Sequence, residues 1–178
     1  MSEPSTDSRS LLTDDMRACA GRDFRWATSF PVSASDIRRW AVTLYFPKTP
    51  PRIYWDAEYA AATRFGGIVA PEDFNPFAWM TVAPGPDSGI NAGKPWPEVE
   101  FGLPDPPARA NIISGMDIEH TGVRMRPGDV IRSTASLASY SEREGRLGLM
   151  LVTTTEERWV NQRDELLRTS RIHVLRYR

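Results

Sequence analysis

Few side chains in this sequence can move a proton at neutral pH. Only two histidines, His120 and His173, are present, and imidazole is the side chain whose ordinary pKa lies nearest that range. Chemistry that needs an imidazole must use one of these two or borrow one from another chain. Cys19 is the only cysteine, so it has no disulfide partner within the chain, and no Cys/His cluster has zinc-ligand spacing. Carboxylates are the remaining candidates. Glu72 and Asp73 stand together in "APEDFNPFAW" (residues 70–79), where the sequence predicts the start of a helix. One carboxylate beside a backbone N–H donor suffices in principle to direct water at a carbonyl. Arg124 and Arg126 flank a turn; their guanidinium forks can pair with phosphate oxygens or simply face solvent.

The composition narrows the partners. With 22 basic and 23 acidic side chains, the chain lacks the positive surface that tracking a polyanion requires, which excludes nucleic acid as the expected partner. A length of 178 residues suits one domain able to bury most of its apolar surface. The opening "MSEPSTDSRS" is polar, and no run approaches the roughly 20 apolar residues needed to cross a bilayer. The expectation is a protein of the cytoplasm, without a membrane partner and with residues 1–10 as a flexible tail.

These residues must be positioned by a chain that changes character halfway. In the first part, "LLTDDMRACAGRDF" predicts a short helix and "RWATSFPV" a strand. "SASDIRRWAVTLYF" follows, with Ser33 or Ser35 as N-cap and Ile37, Trp40, Ala41 and Leu44 at helical spacing. Prolines at 47–51 stop that helix. "DAEYAAATRF" (56–65) predicts another, capped by Asp56 and ended by Gly66 and Gly67. Pro71 suits a first helical turn, with Glu72 and Asp73 complementing the dipole, while Pro76 argues for a later start or a kink. Residues 83–110 are rich in Pro and Gly and read as a long ordered loop or lid. Four extended segments close the chain, separated at "RPGD", "EG" and "NQRDE". Helices first and an antiparallel meander afterwards predict one α+β domain over residues 11–178.

The stretch "IYWDAEYAAATRFGGIVAPEDF", followed by "RPGDVI", "EREGRLGLMLVTTTEERWVNQRDELL" and a final apolar strand, resembles the MaoC-like hot-dog dehydratases and hydratases. The resemblance runs from about residue 15 to 175 and is closest to the N-terminal-type, non-catalytic half of that family. It implies a long central helix packed on a curved antiparallel sheet, no cofactor, and an acyl-CoA or acyl-carrier thioester as substrate. In the family pattern N-P-(aliphatic)-H-x-D, Pro51 and Arg52 stand over N-P, Ile53 over the aliphatic residue, Tyr54 over the catalytic His and Asp56 over the final Asp. The catalytic Asp position, five residues before the His, is Thr49. A phenol and a threonine hydroxyl cannot reproduce a carboxylate–imidazole pair near neutral pH, so Thr49 and Tyr54 are vestigial positions and no catalytic pair is expected. The D-x-N-P order of Asp73 to Pro76 carries Ala78 where a His belongs and falls about twenty residues too late; it is a coincidence at the entrance to the central helix.

The resemblance implies a division of labour: a catalytic hot-dog partner keeps Asp and His, while a chain like this one accommodates a bulky acyl group, as in fatty-acyl and steroid side-chain dehydratases. A dimer or larger assembly follows from the exposed sheet edge a lone hot dog would have. The substrate-facing candidates are Tyr54, Asp56, Gly66, Gly67, Glu72, Phe74 and Arg126. Each has a plainer reading. Tyr54 and Asp56 suit packing and helix capping, and Gly66 and Gly67 a tight turn. Phe74, with Phe77 and Trp79, suits either an acyl tunnel or the core. Glu72 sits where the family's backbone oxyanion donor belongs, in Ala70-Pro71-Glu72. Two other functions stay open: an acyl-CoA thioesterase using Glu72 or Asp73, and an acyl-CoA binding module without turnover.

Overall fold

The structure, a computed structural model, describes residues 10–78, 96–104, 106, 110–146 and 148–177. Ser10, at the end of the expected tail, hydrogen-bonds the carboxylate of Glu142; the rest of that tail lies outside the described residues. Helix α1 (Asp14–Ala18) starts at Thr13, whose hydroxyl accepts from the Met16 N–H. Strand β1 (Asp23–Thr28) follows, then α2 (Ala34–Tyr45), capped by Ser33, which accepts from the Asp36 N–H at 3.0 Å. The cap is thus the first of the two expected serines. Ile37 and Ala41, one turn apart on α2, are fully buried. A fully buried aliphatic side chain such as Ile37 contributes about 1.5–3 kcal/mol.

The expected helix over 56–65 is shorter than its pattern. Helix α3 is Ala57–Ala61; the Thr63 hydroxyl donates to the Ala60 carbonyl at 2.7 Å, an alternative to further helical turns. Gly66 adopts φ 65°, a left-handed conformation that favours glycine. The helix expected from residue 71 does not form over 71–78, which are turns. Asn75 Oδ1 accepts the Phe77 N–H at 2.9 Å and the Asn75 carbonyl accepts the Ala78 N–H. Pro76 has no N–H to give and disfavours the helical conformation of Asn75. Any continuation of the central helix falls in 79–95, outside the described residues. Most of the expected 83–110 loop is likewise outside them, but it closes with α4 (Pro97–Glu100).

The second half forms β2 (Ala110–His120), β3 (Arg132–Gly145), β4 (Gly148–Val160) and β5 (Leu166–Tyr177), the four extended segments read from sequence. With β1 they make one antiparallel sheet in the order β1-β3-β4-β5-β2. Register places Ser133, Ala135, Thr153, Thr155, Glu157 and Trp159 on one face, continued by Arg168, Ser170, Ile172 and Val174 of β5. The main core lies at the end of the sheet near α2, where Ile37, Ala41, Tyr54, Val69 and Phe74 pack with Ile131, Trp159 and Leu167. Among the described residues no helix is long and apolar enough to cross a membrane.

Candidate functional site

Two places concern function: the corner that carries Thr49 and Tyr54, and a groove over one face of the sheet. At the corner, Thr49 is exposed on the proline-rich link after α2. Tyr54 ends a single 3-10 turn (Arg52–Tyr54) and is buried, with 7% of its surface accessible. Its ring lies 6.0 Å from that of Tyr45. A hydrogen bond between the two phenols is the main cause that raises the Tyr45 pKa, with desolvation second. Among the described residues the corner holds two phenols and no carboxylate–imidazole pair.

Asp56 serves as a cap. Its carboxylate accepts from the Tyr59 N–H at 2.9 Å and from both Nε and Nη2 of Arg52 at 2.9 and 2.6 Å. The Tyr59 bond first, and Arg52 second, hold its pKa below the ordinary value. An ionised, bonded carboxylate of this kind suits helix capping better than proton transfer.

Several other candidates converge on the turn between β2 and β3. Arg124 donates from Nη2 and Nε to the Ala70 carbonyl at 2.7 and 3.1 Å, and from Nη1 to Glu72 Oε1 at 3.1 Å. It therefore clamps the 70–72 backbone instead of presenting its fork to a phosphate. The Ala70 N–H is itself tied to the Met125 carbonyl. The guanidinium of Arg126 lies beside Gly67, where an added Cβ would sit 3.9 Å from Nη1, so those two candidates are neighbours. Asp129 of "RPGD" is buried and accepts from the Arg126 N–H, Gln162 and Arg163; it joins two turns. Phe74 is buried in the core, its ring 5.7 Å from Trp40 in an edge arrangement.

The histidines are apart from each other and from this corner's phenols. His120, exposed at the end of β2, pairs across the sheet with Arg168. His173 lies on the face opposite the groove, its Nδ1 3.0 Å from Thr154 Oγ1 and its Nε2 3.1 Å from Asp117 Oδ2.

The groove runs over the other face. Its larger part, about 680 Å³, is lined by Trp26, Trp40, Phe77, Met116, Ile118 and Ile172, with Asp73, Asn75, Glu157 and Arg168 among them. A smaller part, about 390 Å³, shares Arg25, Glu157 and Ile172 with it and reaches Trp96 and Pro97 of the α4 segment. Mostly apolar walls with a few polar groups are the usual build of a small-molecule site. Of the sequence candidates, Phe77 and Asp73 line it; Trp79 lies outside the described residues. Glu157 and Arg168 went unnoticed in the sequence, because Thr155 and Ser170, two residues away on the same face, are polar too and leave no apolar stripe for them to interrupt.

Sequence missed a second feature at the α4 end. Glu98 is fully buried and accepts from the Tyr140 hydroxyl at 2.5 Å and from Arg176 Nη1 at 3.2 Å. Arg176 Nη2 bridges the same carboxylate and Thr153 Oγ1. This network fixes the 96–103 segment to the sheet, and with it one end of the groove.

A single antiparallel sheet in the order β1-β3-β4-β5-β2, with the helices before its long strands, is a hot-dog α+β fold. The family model "FAS1-like, dehydratase domain region" matches residues 18–170, and the chain belongs to that family. No curated protein matches the chain. Among solved structures, the ChsH1-ChsH2 complex from Mycobacterium tuberculosis is similar at 19% identity, covering 92% of this chain and 87% of that one, with a TM-score of 0.65. A MaoC-like dehydratase from Rhodospirillum rubrum is similar at 19% identity over 89% of this chain and 92% of that one, TM-score 0.56. The C-terminally truncated HadBC 3R-hydroxyacyl-ACP dehydratase complex from M. tuberculosis is similar at 17% identity over 86% and 98% of the two chains, TM-score 0.53. At these identities the likeness is one of fold.

Proposed function

We propose that this chain is the non-catalytic, substrate-accommodating subunit of a heteromeric enoyl-CoA hydratase or 3-hydroxyacyl thioester dehydratase. The observation that carries this reading is Tyr54, a buried phenol packed on Tyr45, taken together with solvent-exposed Thr49; in this reading they occupy the positions of the family's histidine and aspartate. Proton addition and removal at an acyl thioester then fall to a partner hot-dog subunit that retains the Asp/His pair. The apolar groove over the sheet supports a share in holding the acyl chain.

The sheet edge supports a partner. Among the described residues β2 pairs only with β5, and Ile112, Ile113, Met116 and Ile118 on it are 55%, 62%, 51% and 40% exposed. A long apolar edge strand is a template for another chain. Its occupant in this reading is the catalytic subunit. The test is co-expression with a hot-dog subunit retaining D-x-N-P-x-H and isolation by a tag on this chain alone. Stoichiometric recovery of that subunit supports the reading; a stable chain that never takes one up overturns it.

A second reading rests on Asp73, whose residue lines the groove: water activation by this carboxylate for thioester hydrolysis. Acyl-CoA hydrolysis by the purified chain, abolished in Asp73→Asn, would favour it over the first.

A further inference from the structure

The open edge strand is acidic. The sequence of β2, ANIISGMDIEH, carries two carboxylates and no Lys or Arg. Register sets Asp117 opposite Arg171, Glu119 opposite Thr169 and Gly115 opposite His173, so both carboxylates lie on the face away from the groove. The Asp117 side chain is 76% exposed, with the Nε2 of His173 3.1 Å from its Oδ2. Arg171, its cross-strand neighbour, turns to Glu156 on β4 instead and donates from Nε at 2.8 Å. Glu119 is exposed, and among the described residues no hydrogen bond or ion pair holds it.

Charge decides which strand can lie beside them. Directly opposed residues of adjacent antiparallel strands come within about 5 Å, where opposite charges stabilise and like charges destabilise. A second copy of this chain would pair about a twofold axis, setting β2 against itself. The strand can then offer no Lys or Arg to Asp117 or Glu119. Arg109, just before it, would stand directly opposite Asp117 or Glu119 of the other copy only in registers centred on Ile113 or Ser114. Those registers fall at the bulge between Ile113 and Gly115, where a ladder is interrupted. Arg124, beyond the other end, is committed to Ala70 and Glu72. Charges on an edge strand are a usual guard against self-pairing.

We propose that β2 takes as its neighbour an edge strand of a different chain that carries Lys or Arg facing Asp117 and Glu119, and that the same carboxylates disfavour a second copy of this chain. The inference rests on the reading that the catalytic subunit covers this edge, and it names what that subunit's strand carries. Ile112, Met116 and Ile118 supply apolar contact that any strand could use; the carboxylates supply the choice of partner.

The test uses the full chain and Asp117→Asn/Glu119→Gln, which removes both charges and keeps size and an oxygen facing His173. Exposed substitutions of this kind should leave the thermal midpoint nearly unchanged. Self-association at low ionic strength, followed by sedimentation velocity, should be about ten-fold tighter for the double variant than for the parent, and added salt should narrow the gap by screening. Affinity for a hot-dog subunit retaining D-x-N-P-x-H should move the other way: about ten-fold weaker for the double variant at low salt, and reduced by salt for the parent alone. A double variant that self-associates no better than the parent overturns the proposal. Equal affinity of the two chains for the hot-dog subunit also overturns it, and leaves β2 standing as the docking strand. A subunit bound by neither chain overturns the reading of the edge together with the proposal.

Discussion

The carboxylate of Glu98 and the guanidinium of Arg176, 78 residues apart in sequence, meet in the interior with 0% and 3% of their side-chain surfaces accessible. The Tyr140 hydroxyl and Thr153 Oγ1 complete the arrangement, so the carboxylate is paired and hydrogen-bonded, as burial of a charge demands. Removing one member leaves the other charged and alone. Glu98→Gln or Arg176→Met should each lower unfolding stability by about 3–5 kcal/mol, and the double replacement Glu98→Leu/Arg176→Met should recover most of it. Urea denaturation of the three variants measures this.

Tyr140 adds a pH dependence. Burial first, and its bond to Glu98 second, push its pKa up from the ordinary value of 10.0. The folded state thus holds this proton more tightly than the unfolded chain. The corresponding stability is complete below about pH 10 and is lost as pH rises above it. Tyr140→Phe should cost about 1 kcal/mol at pH 7 and show a shallower loss of stability on the alkaline side, followed by denaturation at pH 8 to 11.

Asp56 acts in the opposite direction. Its pKa is held below 3.8 in the folded chain, so its contribution is present above that value and fades as pH falls through the lower, folded one. Asp56→Asn keeps the cap's oxygen and size but loses the charge paired with Arg52. Its thermal midpoint should match the parent more closely at pH 3 than at pH 7.

The edge strand gives a test of assembly separate from folding. Ile112 and Ile113 are more than half exposed, and exposed substitutions away from special features change stability by about 0.5 kcal/mol or less. Ile112→Lys/Ile113→Lys should leave the thermal midpoint of the isolated chain nearly unchanged and abolish its co-purification with a hot-dog partner. Light scattering on the eluted species distinguishes the complex from the free chain.

How much of this was legible in the sequence follows from how local each signal is. Ser33 before an amphipathic run announced α2, and Gly and Asp at "RPGD", "EG" and "NQRDE" marked the turns between β2 and β5, because caps and turns depend on neighbouring residues. The fold class was legible for the same reason. The helix expected from residue 71 was not formed over 71–78, because the side chain of Asn75 and the missing N–H of Pro76 outweighed a favourable first turn. Glu98 sits in "WPEVEF" within a Pro/Gly-rich stretch, where nothing local indicates a buried charge; its partner lies at the other end of the chain. The one available hint was Arg176, which follows Ile172 and Val174 on the same face of β5.

The central claim is that Tyr54 stands where a histidine would act and that another chain supplies the chemistry. Its most direct test is hydration of trans-2-enoyl-CoA, followed by loss of enoyl thioester absorbance, with this chain alone and with a hot-dog subunit carrying the Asp/His pair. The account predicts no hydration by the chain alone, activity in the pair, and loss of that activity when the partner's histidine is replaced, with Tyr54→Phe in this chain leaving it intact. Full hydration by the isolated chain, or its loss in Tyr54→Phe with the fold preserved, would contradict the account.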